Sequence, residues 1–186
     1  MFQKILSYGV IAGLCVGVPM FATTVAKHDA PYGMVVGYLI MLIALGAVFV
    51  AVKRHRDADL GGVIKFWPAF AMGLAISFIV GVLYVAAWEA ALAVTHMDFA
   101  GTYAKSVIEH QQAKGLSGED LDKLRAEMEA FKVQYANPLY RLPMTFIEIF
   151  PIGVLVSLVS AGLLRNSRFL PVVRSAEPRQ GAAPAP

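Results

Sequence analysis

The side chains best equipped for chemistry in this chain lie where a membrane would make them costly. Glu148 sits inside the apolar run TFIEIFPIGVLVSLVSAGLLR (Thr145–Arg165), with Pro151 three positions on. Glu89 sits inside a second run, four positions beyond Val85, which itself follows Gly81 by four. That spacing places Glu89 on the small-residue face of a helix, toward neighbouring helices. A charge at the bilayer centre costs about 2.5–3.5 kcal/mol on insertion scales. Near a span end, facing protein and a partner, it costs far less. If the run holding Glu89 crosses one way and the run holding Glu148 returns, the two carboxylates emerge at similar depth. Arg141, His96, Tyr84 and Tyr140 are the candidate partners. Two arrangements follow: a structural ion pair of Arg141 with one glutamate, or a polar vestibule for a cation, a proton or a small cationic ligand. Pro151 is expected in the first two turns of its helix, where a missing N–H matters least.

Other reactive groups form no recognisable machinery. HRDADLGG alternates His55, Asp57 and Asp59, and imidazole plus carboxylates can hold a divalent ion. Arg54 and Arg56 would repel that ion, so a charged loop and turn is the expectation, with no metal site. Gly61-Gly62 lacks the Gly-Lys-Ser/Thr that completes a phosphate loop. No Gly-x-Ser-x-Gly, His-Glu-x-x-His or Cys-x-x-Cys is present. Glu109-His110 has no partner at ligand spacing, and His96 lies seven positions from Glu89, roughly 10 Å along a helix. The expectation is a protein that is not an enzyme and needs no cofactor. Cys15 is the single cysteine, so no internal disulfide can form.

These residues must be positioned by apolar helices. The 186 residues are 58% hydrophobic with a mean hydropathy of +0.61, too apolar for an ordinary soluble domain. The excess falls in four blocks, about Lys4–Thr23, Tyr32–Val52, Phe66–Val94 and Pro143–Leu164. Each can cross a hydrocarbon core about 30 Å thick as a helix. None alternates apolar and polar residues, so barrel strands are excluded. The fold class expected is an all-α integral membrane protein with four transmembrane helices. Its membrane domain is residues 1–164, and 165–186 form a disordered cytoplasmic tail ending in EPRQGAAPAP. The first block, with Thr24-Val25-Ala26 after it, also has the outline of a signal peptide, though its glycine stripe argues for retention.

The net charge of +3 comes from bases flanking the blocks, not from a soluble basic face, so nucleic acid is not an expected partner; the lipid bilayer is. Lys53, Arg54, Arg56 and Lys65 fill the short second connection, Arg165 and Arg168 follow the last block, and Lys4 lies in the first. Short basic segments stay in the cytoplasm. Four spans put all of them on one side, with both termini cytoplasmic in a bacterial inner membrane. Trp67 and Tyr140 fall at opposite boundaries, as amphipathic rings prefer.

The connection 95–142 is then outside, with six Lys/Arg against seven Asp/Glu. Leu121, Leu124, Met128, Phe131 and Tyr135 recur at helical spacing, as do Phe99, Tyr103 and Val107. Ser117 is the expected N-cap and Asn137-Pro138 the stop. A helical hairpin turning at Lys114-Gly115-Leu116 results, its apolar face laid on the mouth of the spans. Small residues mark packing faces: Gly9, Gly13 and Gly17; Gly33 and Gly37; Gly73, Ser77 and Gly81; Gly153, Ser157 and Ala161. They serve packing within the chain, or, for the triple-glycine stripe, a homo-oligomer contact.

GYLIMLIALGAVFVAVKRHRDADLGGVIKF, GVLYVAAW and NPLYRLPMTFIEIFPIGVLVSLVSAGLL resemble the bacterial membrane proteins grouped as domain of unknown function 4199. The resemblance runs from about Tyr8 to Leu164 and is most specific at Arg56-Asp57 to Gly61-Gly62 and at Glu148-Ile149-Phe150-Pro151. It implies four spans and an extracytoplasmic helical segment, and it brings no activity. The function expected is that of a non-enzymatic scaffold, sensor or assembly component working through the outer helical loop, with a homo-oligomer or another membrane protein as partner. A small oligomeric transporter or channel-like protein using Glu89 and Glu148 is the alternative.

Overall fold

A computed structural model describes residues 2–26 and 33–171, apart from the side chains of 33–41 and 43–45. Among the described residues it is all-helical: α1 (Phe2–Val25), α2 (Gly33–Asp59), α3 (Phe66–Thr95), α4 (Phe99–Ala113), α5 (Glu119–Ala136) and α6 (Pro138–Leu164). Among these, α1, α3 and α6 are long and apolar enough to cross a membrane.

Helices α1, α2, α3 and α6 pack side by side, and small residues decide how closely. A methyl group on Gly9 would fall 2.8 Å from Ile79 Cβ, one on Gly13 2.5 Å from Leu83 Cδ1, and one on Gly17 3.1 Å from Ala87 Cβ. The partners advance by four as the glycines do, so α1 and α3 run parallel. The triple-glycine stripe therefore packs against this chain's own α3, the first of the two uses considered for it. Between α3 and α6 the order reverses, so these two are antiparallel. Gly73 abuts Ser157 and Gly81 abuts Phe146. The Ser77 hydroxyl donates to the Gly153 carbonyl at 3.2 Å, and Ser157 donates to the same carbonyl at 2.7 Å. Ala161 is fully buried on the same helix. Gly33 and Gly37 fall outside the residues whose side chains are described.

One end of the helices is basic and tied down. Helix α2 does not stop at Val52 but runs two further turns to Asp59, because Lys53, His55, Arg56, Asp57 and Asp59 satisfy one another along it. Lys4 reaches Asp59 at 2.6 Å, His55 Nδ1 meets the same carboxylate at 2.5 Å, and Lys53 meets Asp57 at 2.5 Å. Hydrogen bonds from Lys4 and His55 hold the Asp59 carboxyl below its ordinary pKa. These carboxylates face cations, and among the described residues no three metal-binding side chains converge. Gly61 and Gly62 then turn the chain with φ of 65° and 96°, a region open to glycine.

Arg56 is the largest fully buried side chain among the described residues. Its Nη1 donates to the Phe169 carbonyl at 2.9 Å, its Nη2 to the Leu170 carbonyl at 2.6 Å, and its Nε to Asp57 at 2.6 Å. Phe169 also sets its ring edge-on to Phe49. The segment after α6 is thus folded back against α2, which corrects a disordered tail beginning at residue 165. Residues 172–186, including EPRQGAAPAP, lie outside the described residues. Arg54, Lys65, Arg165 and Arg168 are exposed at this same end.

The opposite end carries α4 and α5. Asp98 caps α4 by accepting from the Gly101 amide at 2.8 Å. The N-cap of α5 is Gly118 instead of Ser117; its φ of 63° and ψ of −141° suit only glycine. Glu119, Asp120 and Asp122 fill the first turn of α5, where the helix dipole favours negative charge. Asn137 ends α5 and begins α6, its side chain accepting from the Leu139 amide at 3.0 Å. Pro138 takes the first position of α6, so this helix starts one and a half turns before Pro143. Pro151 consequently lies mid-helix, not in the first two turns, and its ring nitrogen cannot donate to the Ile147 carbonyl.

Candidate functional site

Where α3 ends and α6 begins, Glu89 and Arg141 meet. Arg141 Nε donates to Glu89 Oε1 at 2.7 Å and Nη2 to Oε2 at 2.5 Å. This is the two-pronged fork that fits guanidinium to carboxylate. Arg141 Nη1 also donates to the Tyr135 carbonyl at 3.3 Å, and its guanidinium carbon lies 5.7 Å from the Tyr135 ring centre. A single arginine thereby joins α3, α5 and α6. Arg141 can do this because it lies only six positions after Tyr135, and Asn137 alone separates α5 from α6.

Around this pair stands an aromatic wall. Trp88 Nε1 donates to the Tyr135 hydroxyl at 2.9 Å. The Trp88 ring meets Phe99 edge-on at 5.1 Å, Phe99 and Tyr135 lie 5.4 Å apart, Phe131 lies 5.4 Å from Tyr135, and Tyr103 lies 5.6 Å from Phe131. Helices α4 and α5 are held to each other and to the end of α3 by these rings. Each offset or edge-to-face pair contributes about 0.5–1.5 kcal/mol beyond area burial. Tyr135 is buried, and that burial raises its phenol above the ordinary value against the opposing effect of the Trp88 hydrogen bond, so the hydroxyl stays protonated.

Tyr135 divides two cavities. The first, about 760 Å³, is bordered by Glu89, Arg141, His96 and Lys132. His96 is exposed there and ends α3 in a left-handed conformation, its amide donating to the Leu92 carbonyl. The second, about 500 Å³, runs between the aromatic wall and α6 and holds Glu148. Tyr84 hydrogen-bonds Glu148, and Met144, Thr145 and Ile147 line the α6 side. Among the described residues no ion pair reaches Glu148.

The residues expected to form one polar site are thus brought together as two. Glu89, Arg141 and His96 share the first cavity, and Tyr84 and Glu148 share the second. Tyr140 is 40% exposed and borders neither. Arg141 chooses Glu89 over Glu148. Sequence reading did not foresee Trp88, Phe99 and Tyr135 as the wall between them. The available signal was an aromatic residue directly before Glu89 and another six positions before Arg141.

Among the described residues all regular structure is helical and three helices are long and apolar enough to cross a membrane, which is the composition of a membrane protein. The chain belongs to the family described as protein of unknown function (DUF4199), which matches residues 7–166. No curated protein and no solved structure matches it.

Proposed function

We propose that this protein is a four-span component of a bacterial inner membrane that scaffolds, senses or assists assembly through α4 and α5 and carries out no catalysis. In this reading α2 is the fourth span, both termini are cytoplasmic, and α4–α5 form an outer hairpin. The basic end supports the orientation, since Lys4, Lys53, Arg54, Arg56, Lys65, Arg165 and Arg168 all gather there, where positive charge is retained.

The observation that carries the function is the seating of α5. The Arg141 bond to the Tyr135 carbonyl, the Trp88 bond to the Tyr135 hydroxyl and a chain of rings fix it on the ends of α3 and α6, while its far face stays polar around Val133, which is 75% exposed. A rigid, presented helix suits recognition. A carrier that uses both glutamates has less support, because Arg141 already neutralises Glu89.

Crosslinking in intact cells tests this. A photoreactive residue replacing Val133 should give one discrete adduct with another protein or a second copy, and Arg141→Ala should weaken that adduct by loosening α5. No adduct, combined with proton or cation flux in proteoliposomes that Glu148→Gln abolishes, would replace this reading with the transporter.

A further inference from the structure

We propose that the cleft between α5 and the facing ends of α3 and α6 binds a small organic cation of the quaternary-ammonium class. Glu148 supplies the counter-charge, and the rings of Trp88, Phe131 and Tyr135 supply the wall. This goes beyond the scaffold reading, because a ligand could occupy the cleft whatever partner α5 meets.

Three observations select this chemistry. First, among the described residues the cleft holds a carboxyl group that no cation pairs. Glu89 and Arg141 cancel on the far side of Tyr135, so a cationic ligand would find its counter-charge in an ionised Glu148. Secondly, the wall facing that charge is aromatic. Ring faces attract cations, most strongly for tryptophan, and methylated ammonium groups are the ligands such walls recognise. Tyr135 already carries a cation on its ring in the form of Arg141. Thirdly, other cations fit badly. A divalent metal needs several oxygen ligands, and the lining holds a single carboxylate, Glu148, beside the hydroxyls of Tyr103, of Tyr84, which is bonded to Glu148, of Tyr135, which accepts from Trp88, and of Thr145, which donates to the Arg141 carbonyl at 3.0 Å. A primary ammonium brings three donors that all need acceptors. A quaternary ammonium brings none, and its methyl groups can lie on Met144, Ile147 and the rings. The cavity of about 500 Å³ lies within the usual range for small-molecule sites.

The chemistry is the same whether the group is free or heads a phospholipid. The test uses detergent-purified full-length protein carrying Trp67→Phe, which leaves Trp88 as the sole tryptophan and makes its emission a report on the cleft. Choline should change that emission saturably, and its uncharged tert-butyl isostere, 3,3-dimethylbutan-1-ol, should not. Glu148→Gln should weaken choline binding by about tenfold or more, the loss of the counter-charge to the ammonium. Phe131→Leu, which keeps apolar bulk but removes a ring, should weaken it independently if the first variant folds poorly. Repeating the titration in phosphatidylglycerol nanodiscs, with and without phosphatidylcholine, separates the sources. A choline response suppressed by phosphatidylcholine identifies a lipid headgroup as occupant, and an unchanged response identifies a free ligand. No saturable response, an equal response to the neutral isostere, or full binding by both variants would overturn the proposal.

Discussion

Arg56→Ala should destabilise the purified protein by roughly 3–5 kcal/mol, the range for breaking a fully buried charged contact. The cost has two sources. The part-buried Phe169 and Leu170 carbonyls lose their donors, and an unmade bond costs about 1–3 kcal/mol where water is excluded and less where it reaches the oxygen. Asp57 keeps Lys53 at 2.5 Å but loses its contact with the fully buried Arg56 at 2.6 Å. The segment after α6 should then come away from α2. Thermal unfolding in detergent should fall by many degrees, and trypsin should cut faster after Arg165 and Arg168. Arg56→Lys should restore little, since one ammonium cannot reach two carbonyls and a carboxylate in that fork geometry. An unchanged melting temperature would mean that the folded-back segment contributes nothing to the end of α2.

The second large effect is expected at Arg141. Its side chain is 17% exposed and that of Glu89 28%, so the penalty for stranding the glutamate is partly screened. A loss of about 1–3 kcal/mol is expected for Arg141→Ala, below that of a fully buried pair. The structure also decides which second change should compensate. Arg141→Ala with Glu89→Gln should recover much of the loss, because the stranded charge goes with it. Adding Glu148→Gln instead should recover little, because Arg141 does not pair with Glu148. Melting temperatures of the two double variants separate these outcomes, and equal recovery by both would show that the two carboxylates share the arginine.

What the sequence made legible was set by how local each signal is. The apolar blocks stand out because a span needs about 20 apolar residues in a row, and α1, α3 and α6 follow them closely. Leu121 to Tyr135 mark the apolar face of α5 because helical periodicity needs only that segment. The start of α6 was missed because Pro143 reads as a boundary, whereas Asn137-Pro138 already supplies an N-cap and a first-turn proline. Arg56 counted as one base among several, since burial of a charge depends on carbonyls more than a hundred residues away. Glu89, Glu148 and Arg141 were recognised as related, and helix direction alone brought them to one end. Which glutamate takes the arginine was not legible. It depends on the position of Tyr135, fixed by ring contacts across three helices.

In the proposed topology α4–α5 and the basic end lie on opposite sides of the membrane, with four helices between them. The most direct test is labelling of single cysteines by a membrane-impermeant maleimide in a Cys15→Ser background. Val133→Cys, on the outer face of α5, should label in intact spheroplasts. Arg168→Cys, beside the Arg56 cluster, should label only after the membrane is permeabilised. Labelling of both positions in intact spheroplasts, or of Arg168→Cys alone, would contradict the account.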